Sequence, residues 1–167
     1  PYVLLNHKDN VDHAFTLAHE LGHAMHSYHS DRALPFELAQ YRIMVAEVAS
    51  TVNEVLMMRY LLDHEKDPKR KAFLINQFLE QLRTTCFRQA MFAEFELFAH
   101  RMQERGEPLT NDNLSALYRS LNERYYPGVH CDDNIAIEWL RIPHFYRAFY
   151  VYQYATGICS AVALADG

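Results

Sequence analysis

Apolar and polar positions recur with a helical period along almost the whole chain. Between residues 11 and about 29, Phe15, Ala18, Gly22 and Met25 fall three or four apart, which predicts one buried helix face, with Asp9 or Asn10 as its N-cap. Ser30-Asp31-Arg32-Ala33-Leu34-Pro35 breaks that pattern, and a second helix is expected from 36 to about 62. Asp67-Pro68 then sets a capping acid before a proline at the first helical position, a favoured start. The third helix should run to about 105, where Gly106-Glu107-Pro108 ends it. Thr110 caps a further helix to about 124, and the stretch from Tyr125-Tyr126-Pro127-Gly128 to Asp133 reads as a loop. A short helix near 135–140 and a last one from about His144 complete the pattern. Only Tyr2-Val3-Leu4-Leu5 is β-prone. The expected fold is mainly α with a short N-terminal edge strand, one domain over residues 1–167, with neither internal repeat nor low-complexity linker.

Composition narrows the function classes. Half of the 167 residues are hydrophobic, enough for a real core, and the formal charge is −5 with mixed signs. There is no basic block and no glycine-rich phosphate loop, so no nucleic-acid partner is expected. No apolar run approaches the ~20 residues that span a bilayer, so no membrane partner is expected either. The opening Pro1-Tyr2-Val3-Leu4-Leu5-Asn6 does not resemble a signal peptide. Cys86, Cys131 and Cys159 are widely spaced, odd in number and without a CxxC pair. They are expected to be small thiols in a reducing compartment, which points to the cytoplasm. The pattern starts at a strand and stops within a helix, as expected for a piece of a longer chain.

His19-Glu20-Leu21-Gly22-His23 changes the picture most. Two histidines four apart on a helix lie one turn along and nearly in line, so both imidazoles can converge on one zinc ion. Glu20 between them can project toward the ion's open position and take a proton from water. A catalytic zinc site needs a third protein ligand. On the next helix the candidates are Glu37, Glu47 and Glu54. Glu37 opens that helix, where an acid is favoured by the dipole alone. Glu47 lies among Val45, Ala46, Val48 and Ala49, and a carboxylate in that setting must be paired or ligated. Glu54, on the same face, either accepts a histidine N–H behind the metal or pairs with a surface cation such as Arg59. His26 and His29 continue the first helix and are expected to face solvent. His7, His13, His64, His100 and His130 are assigned no role.

These residues carry a family likeness. His19-Glu20-Leu21-Gly22-His23-Ala24-Met25-His26-Ser27-Tyr28, followed by Ala46-Glu47-Val48-Ala49-Ser50-Thr51-Val52-Asn53-Glu54, resembles the oligoendopeptidase F branch of the thimet-oligopeptidase-like zinc peptidases. Arg141-Ile142-Pro143-His144-Phe145-Tyr146 and Tyr150-Val151-Tyr152-Gln153-Tyr154-Ala155-Thr156-Gly157 resemble the same family's second active-site segment. The likeness runs in order over essentially the whole chain. It implies a helical zincin-type metallopeptidase core with a deep channel for oligopeptides, one zinc held by His19, His23 and Glu47, and Glu20 as catalytic acid/base. It also implies that His144 and Tyr154 face the scissile carbonyl, with Tyr150 and Tyr152 as substrate contacts. Leu4 and Asn6 would lie on the strand that pairs with substrate backbone. Members of the family are much longer, so an N-terminal helical region of the same protein is an expected partner.

The expected chemistry is zinc-assisted hydrolysis of internal peptide bonds, with Glu20 moving the proton and a phenol or imidazole stabilising the oxyanion. Two rivals come from other classes. A di-iron bundle would need a second glutamate three residues before a histidine; Glu96 and His100, four apart, are the nearest miss. The other is a helical interaction module that holds zinc without turnover.

Overall fold

The computed structural model describes residues 2–166, so Pro1 and Gly167, the ends of the expected domain, lie outside the described residues. Those described form helices and connecting turns, with no strand among them. The β-prone Tyr2–Leu5 stretch runs without regular structure, because a strand needs a ladder partner and there is none among the described residues.

The helices are α1 (Val11–Ala33), α2 (Phe36–Ala39), α3 (Ile43–His64), α4 (Pro68–Gln81), α5 (Arg88–Glu104), α6 (Asn111–Tyr125), α7 (Asp133–Ala136) and α8 (Tyr152–Asp166). Short polar side chains begin several of them. Asn10 accepts the His13 N–H at 2.9 Å, Asp67 that of Lys69 at 2.8 Å, and Thr110 that of Asn113 at 3.2 Å. Leu34 precedes Pro35 and is extended, so α1 stops at Ala33, four residues beyond the expected end.

Three expected helices are interrupted. The one expected over 36–62 splits at Gln40-Tyr41-Arg42, where side-chain bonds to α1 outcompete helix continuation. Tyr41 meets the Ser27 hydroxyl at 2.5 Å and stacks on His26, while Ser30 donates to the Ala39 carbonyl at 2.7 Å. His26 therefore packs against a ring instead of facing solvent, whereas His29 is exposed. The long third helix contains a π turn, Leu82–Phe87, between α4 and α5. The last helix starts only at Tyr152. His144 sits before it in a 3-10 turn, Pro143–Tyr146, and Phe149 in between has φ 57°, which a right-handed helix does not accommodate.

The chain forms two compact units, one running to Leu82 with the segment from Thr156 added, the other covering Arg83–Ala155. In the first, α1 and α3 make the main packing contact. Gly22 permits it: a Cβ there would lie 2.6 Å from the Ser50 Cα and 3.1 Å from the Ala49 carbonyl oxygen. Asn53 then ties the two helices by donating to the Ala18 carbonyl at 2.6 Å. In the second unit, Met91, Phe92 and Phe95 of α5 pack on Leu114, Tyr118 and Leu121 of α6, with Ile142 and Val151. Tyr118 is fully buried and donates to Glu138 at 2.8 Å, and Arg88 donates to the other oxygen at 2.5 Å. Burial pushes the Glu138 carboxyl upward, but hydrogen bonds from Tyr118 and Arg88 and the charges of Arg88 and Arg141 outweigh it and hold the pKa below the ordinary range.

Two predictions follow from this packing. Gly22→Ala should lower stability by about 1–3 kcal/mol, the scale of an overpacked core, because the contacting atoms are backbone; urea unfolding measures it. A group with a depressed folded pKa stabilises fully above its ordinary pKa and loses that contribution as pH falls through the lower one. The urea midpoint should therefore drop in acid, below about pH 4.3, and Glu138→Gln should flatten that acid limb while lowering the midpoint at neutral pH.

Candidate functional site

The first unit gathers the proposed ligands from two helices. His19 and His23 are one turn apart on α1, with Nε2 atoms 3.1 Å apart and rings nearly perpendicular. Glu47, near the start of α3, places Oε2 3.5 Å from the same Nε2 of His19. Ligand atoms of His19, His23 and Glu47 all lie within 4.8 Å of one another, and among the described residues no other histidine, cysteine and acid group does so. The side chains of His19 and Glu47 remain 26% and 24% exposed, so water reaches the cluster. Of the other acids on this stretch, Glu37 is exposed on α2.

The second nitrogen of His19 is also engaged. Its Nδ1 is hydrogen-bonded to Glu54, seven residues after Glu47 on the same face of α3. The other Glu54 oxygen accepts from Gln81 at 2.5 Å, so both carboxyl oxygens are fixed. Arg59, the alternative partner for Glu54, binds Asp166 and the Ala165 carbonyl instead. The hydrogen bond to Glu54 raises the His19 pKa most; burial opposes it, and the charges of Glu54, Glu47 and Glu20 add to the rise. With Nδ1 committed to Glu54, Nε2 is the nitrogen that faces the cluster.

This donor set fits a divalent transition ion. Two imidazole nitrogens and one carboxylate oxygen are the ligand count of a hydrolytic metal site, with one position left for water. Glu54, Glu47 and Glu20 all raise the His19 pKa through their charge, a field that a cation would offset. Glu20, next to His19 on α1, is half-buried.

In the second unit, His144, Tyr150 and Tyr154 form a ring cluster. His144 stacks on Tyr150 with centroids 5.9 Å apart and planes at 15°, and Tyr154 meets both edge-on, at 5.9 Å from His144 and 5.6 Å from Tyr150. Pro143, His144, Arg147 and Tyr150 line a cavity of about 290 Å³. Tyr152 opens α8 and is 44% exposed. Leu4 is 92% exposed, and Asn6 is exposed as well, both in the irregular N-terminal segment. Sequence pattern missed Gln81, which stands 27 residues from Glu54 and belongs to no motif.

Comparisons with known proteins find similarity over nearly the whole chain. The family model for peptidase family M3 matches residues 1–166. The chain is 49% identical over 167 residues to oligopeptidase PepF of Bacillus subtilis, covering 99% of this chain and 25% of that protein. It is 45% identical over 166 residues to a plasmid-borne oligoendopeptidase F of Lactococcus lactis subsp. cremoris, covering 99% of this chain and 28% of that protein. The crystal structure of oligoendopeptidase-F from Enterococcus faecium superposes with a TM-score of 0.81 at 47% identity, covering 93% of this chain and 28% of that one. The chain thus spans about a quarter of the length of these relatives.

Removal of the ligand and of its support should be separable. Glu47→Ala is expected to abolish tight metal binding, and Glu54→Gln to weaken it about 10–100-fold, the usual effect of losing a carboxylate behind a ligating histidine. Competition against a chromophoric chelator gives both affinities. An unchanged affinity in Glu47→Ala would point to a different third ligand.

Proposed function

The chain belongs to peptidase family M3, and on that premise we propose that it forms the catalytic core of a zinc-dependent endopeptidase that hydrolyses internal bonds of oligopeptides. The observation that carries this reading is the convergence of His19, His23 and Glu47, with Glu54 behind His19 and Glu20 between the two histidines. The match at 49% identity to a protein named an oligopeptidase supports it.

His19, His23 and Glu47 would hold one zinc. When bound, zinc supplies Lewis acidity, which makes water a usable nucleophile near neutral pH and polarises a carbonyl. Glu20 takes the proton from water and then passes it to the leaving amine, so that neither a free hydroxide nor an amide anion has to form. His144 and Tyr154 are the donors for the developing oxyanion; each hydrogen bond of this kind contributes about 2.7–4 kcal/mol to the transition state. Tyr150 and Tyr152 contact substrate. The irregular segment holding Leu4 and Asn6 has an unladdered backbone, able to pair with a peptide's main chain with little sequence preference.

Residues 1–167 act in this reading as one catalytic domain within a longer protein, whose N-terminal helical region completes the substrate channel. The relatives' greater length supports that. A cytoplasmic location is part of the same proposal and rests on the spacing of the three cysteines. No helix among the described residues is long and apolar enough to cross a membrane. The di-iron alternative loses its nearest candidate, because Glu96 and His100 are both engaged with Phe149.

In the full-length protein, cleavage of a quenched fluorescent oligopeptide should stop on chelation and return with zinc. Glu20→Gln should retain zinc but lose at least about a hundredfold in kcat. Chelator-insensitive cleavage would rule out the metal mechanism, and wild-type turnover in Glu20→Gln would remove that residue from it.

A further inference from the structure

Glu96 and His100, one turn apart on α5, take no part in the metal cluster, yet both meet the same residue. Glu96 is buried, 5% exposed, and its Oε1 accepts the backbone N–H of Phe149 at 2.6 Å. The His100 ring stacks on the Phe149 ring, with centroids 4.7 Å apart and planes at 28°.

Phe149 is the residue that needs holding. Its φ of 57° makes it the single non-glycine residue with positive φ among the described residues. It is third in a turn closed by the Tyr150 N–H on the Arg147 carbonyl at 3.2 Å. Positive φ at that place ordinarily calls for glycine or asparagine, and a bulky side chain persists there only where its surroundings over-determine it. Here α5 supplies a polar hold on the backbone through Glu96 and an apolar hold on the ring through His100.

The turn decides how the two halves of the ring cluster meet. His144 precedes it in a 3-10 turn, while Tyr150 and Tyr154 follow it. A change of φ at position 149 swings everything after it relative to His144. The stacked and edge-on contacts of His144, Tyr150 and Tyr154 therefore exist only while Phe149 keeps its left-handed conformation.

We propose that Glu96 is a positioning residue: with His100 it clamps Phe149 in the left-handed turn and so sets the geometry of the His144–Tyr150–Tyr154 cluster. This rests on the roles given above to His144 and Tyr154. The clamp needs an acceptor at Glu96, not a charge. A glutamine can replace it through its amide oxygen; an alanine cannot.

The test uses the full-length protein with three variants, Glu96→Ala, Glu96→Gln and His100→Ala, and reads zinc content, kcat, KM and amide hydrogen exchange at Phe149. Glu96→Ala is expected to keep its zinc, to exchange the Phe149 amide faster and to lose about ten- to a hundredfold in kcat, the scale of a displaced catalytic group. Glu96→Gln should restore slow exchange and most of the turnover, which a purely structural role for a buried charge would not predict. Unaltered exchange in Glu96→Ala, or faster exchange with a wild-type kcat, overturns the proposal. If Glu96→Ala does not fold, His100→Ala decides: it removes the ring contact at an exposed position, and wild-type exchange and kcat there overturn the clamp. Tyr154→Phe is measured alongside. Full activity in it would remove the functional role of Tyr154, while exchange at Phe149 still judges the clamp by itself.

Discussion

The metal cluster depends on how closely two helices approach. α1 carries two of the proposed ligands and α3 the third, and a carboxylate side chain is short. The helices come close enough only because position 22 has no Cβ to meet the backbone of Ser50 and Ala49. Small residues on the facing side, Ala46, Ala49 and Ser50, keep the seam thin, and Asn53 pins its register to the Ala18 carbonyl. Gly22 is thus both a spacer in the motif and the point at which the two helices touch. Helical periodicity brings His19 and His23 together; the packing of the seam brings Glu47 to them.

Behind the ligands stands a relay of polar groups. Gln81 orients Glu54, Glu54 engages the Nδ1 of His19, and the Nε2 of His19 turns to His23 and Glu47. Each partner removes one rotational freedom from the next, so the imidazole is held in place before an ion arrives. The same carboxylates raise the proton affinity of His19, so a proton would compete with the proposed ion for a site that favours positive charge.

The second unit solves a different problem. Its ring cluster is assembled from segments on either side of a turn whose central residue has an unfavourable φ, and α5 contacts that turn through a buried acid and a stacked ring. A helical run from His144 onward, which the apolar pattern suggests, would carry Tyr150 round the helix from His144, since six residues turn it through well over half a further revolution. The break at Phe149 lets the two rings stack.

By itself, the sequence determined the helical class, most helix starts and the HExxH pair, and it put Glu47 forward as a candidate, because those signals are local: caps act within three residues, and an acid among small apolar residues has to find a partner nearby. It did not determine the split at Gln40-Tyr41-Arg42, the π turn at Leu82–Phe87 or the late start of α8, and it supplied no ladder for the β-prone N-terminus. Nor could it decide between a surface pairing and a histidine partner for Glu54, or single out Gln81 and Glu96. Those outcomes rest on contacts between residues far apart in the chain: Ser27 with Tyr41, Gln81 with Glu54, Glu96 with Phe149. Periodicity records which face of a helix is buried, but only the folded chain decides what that face meets.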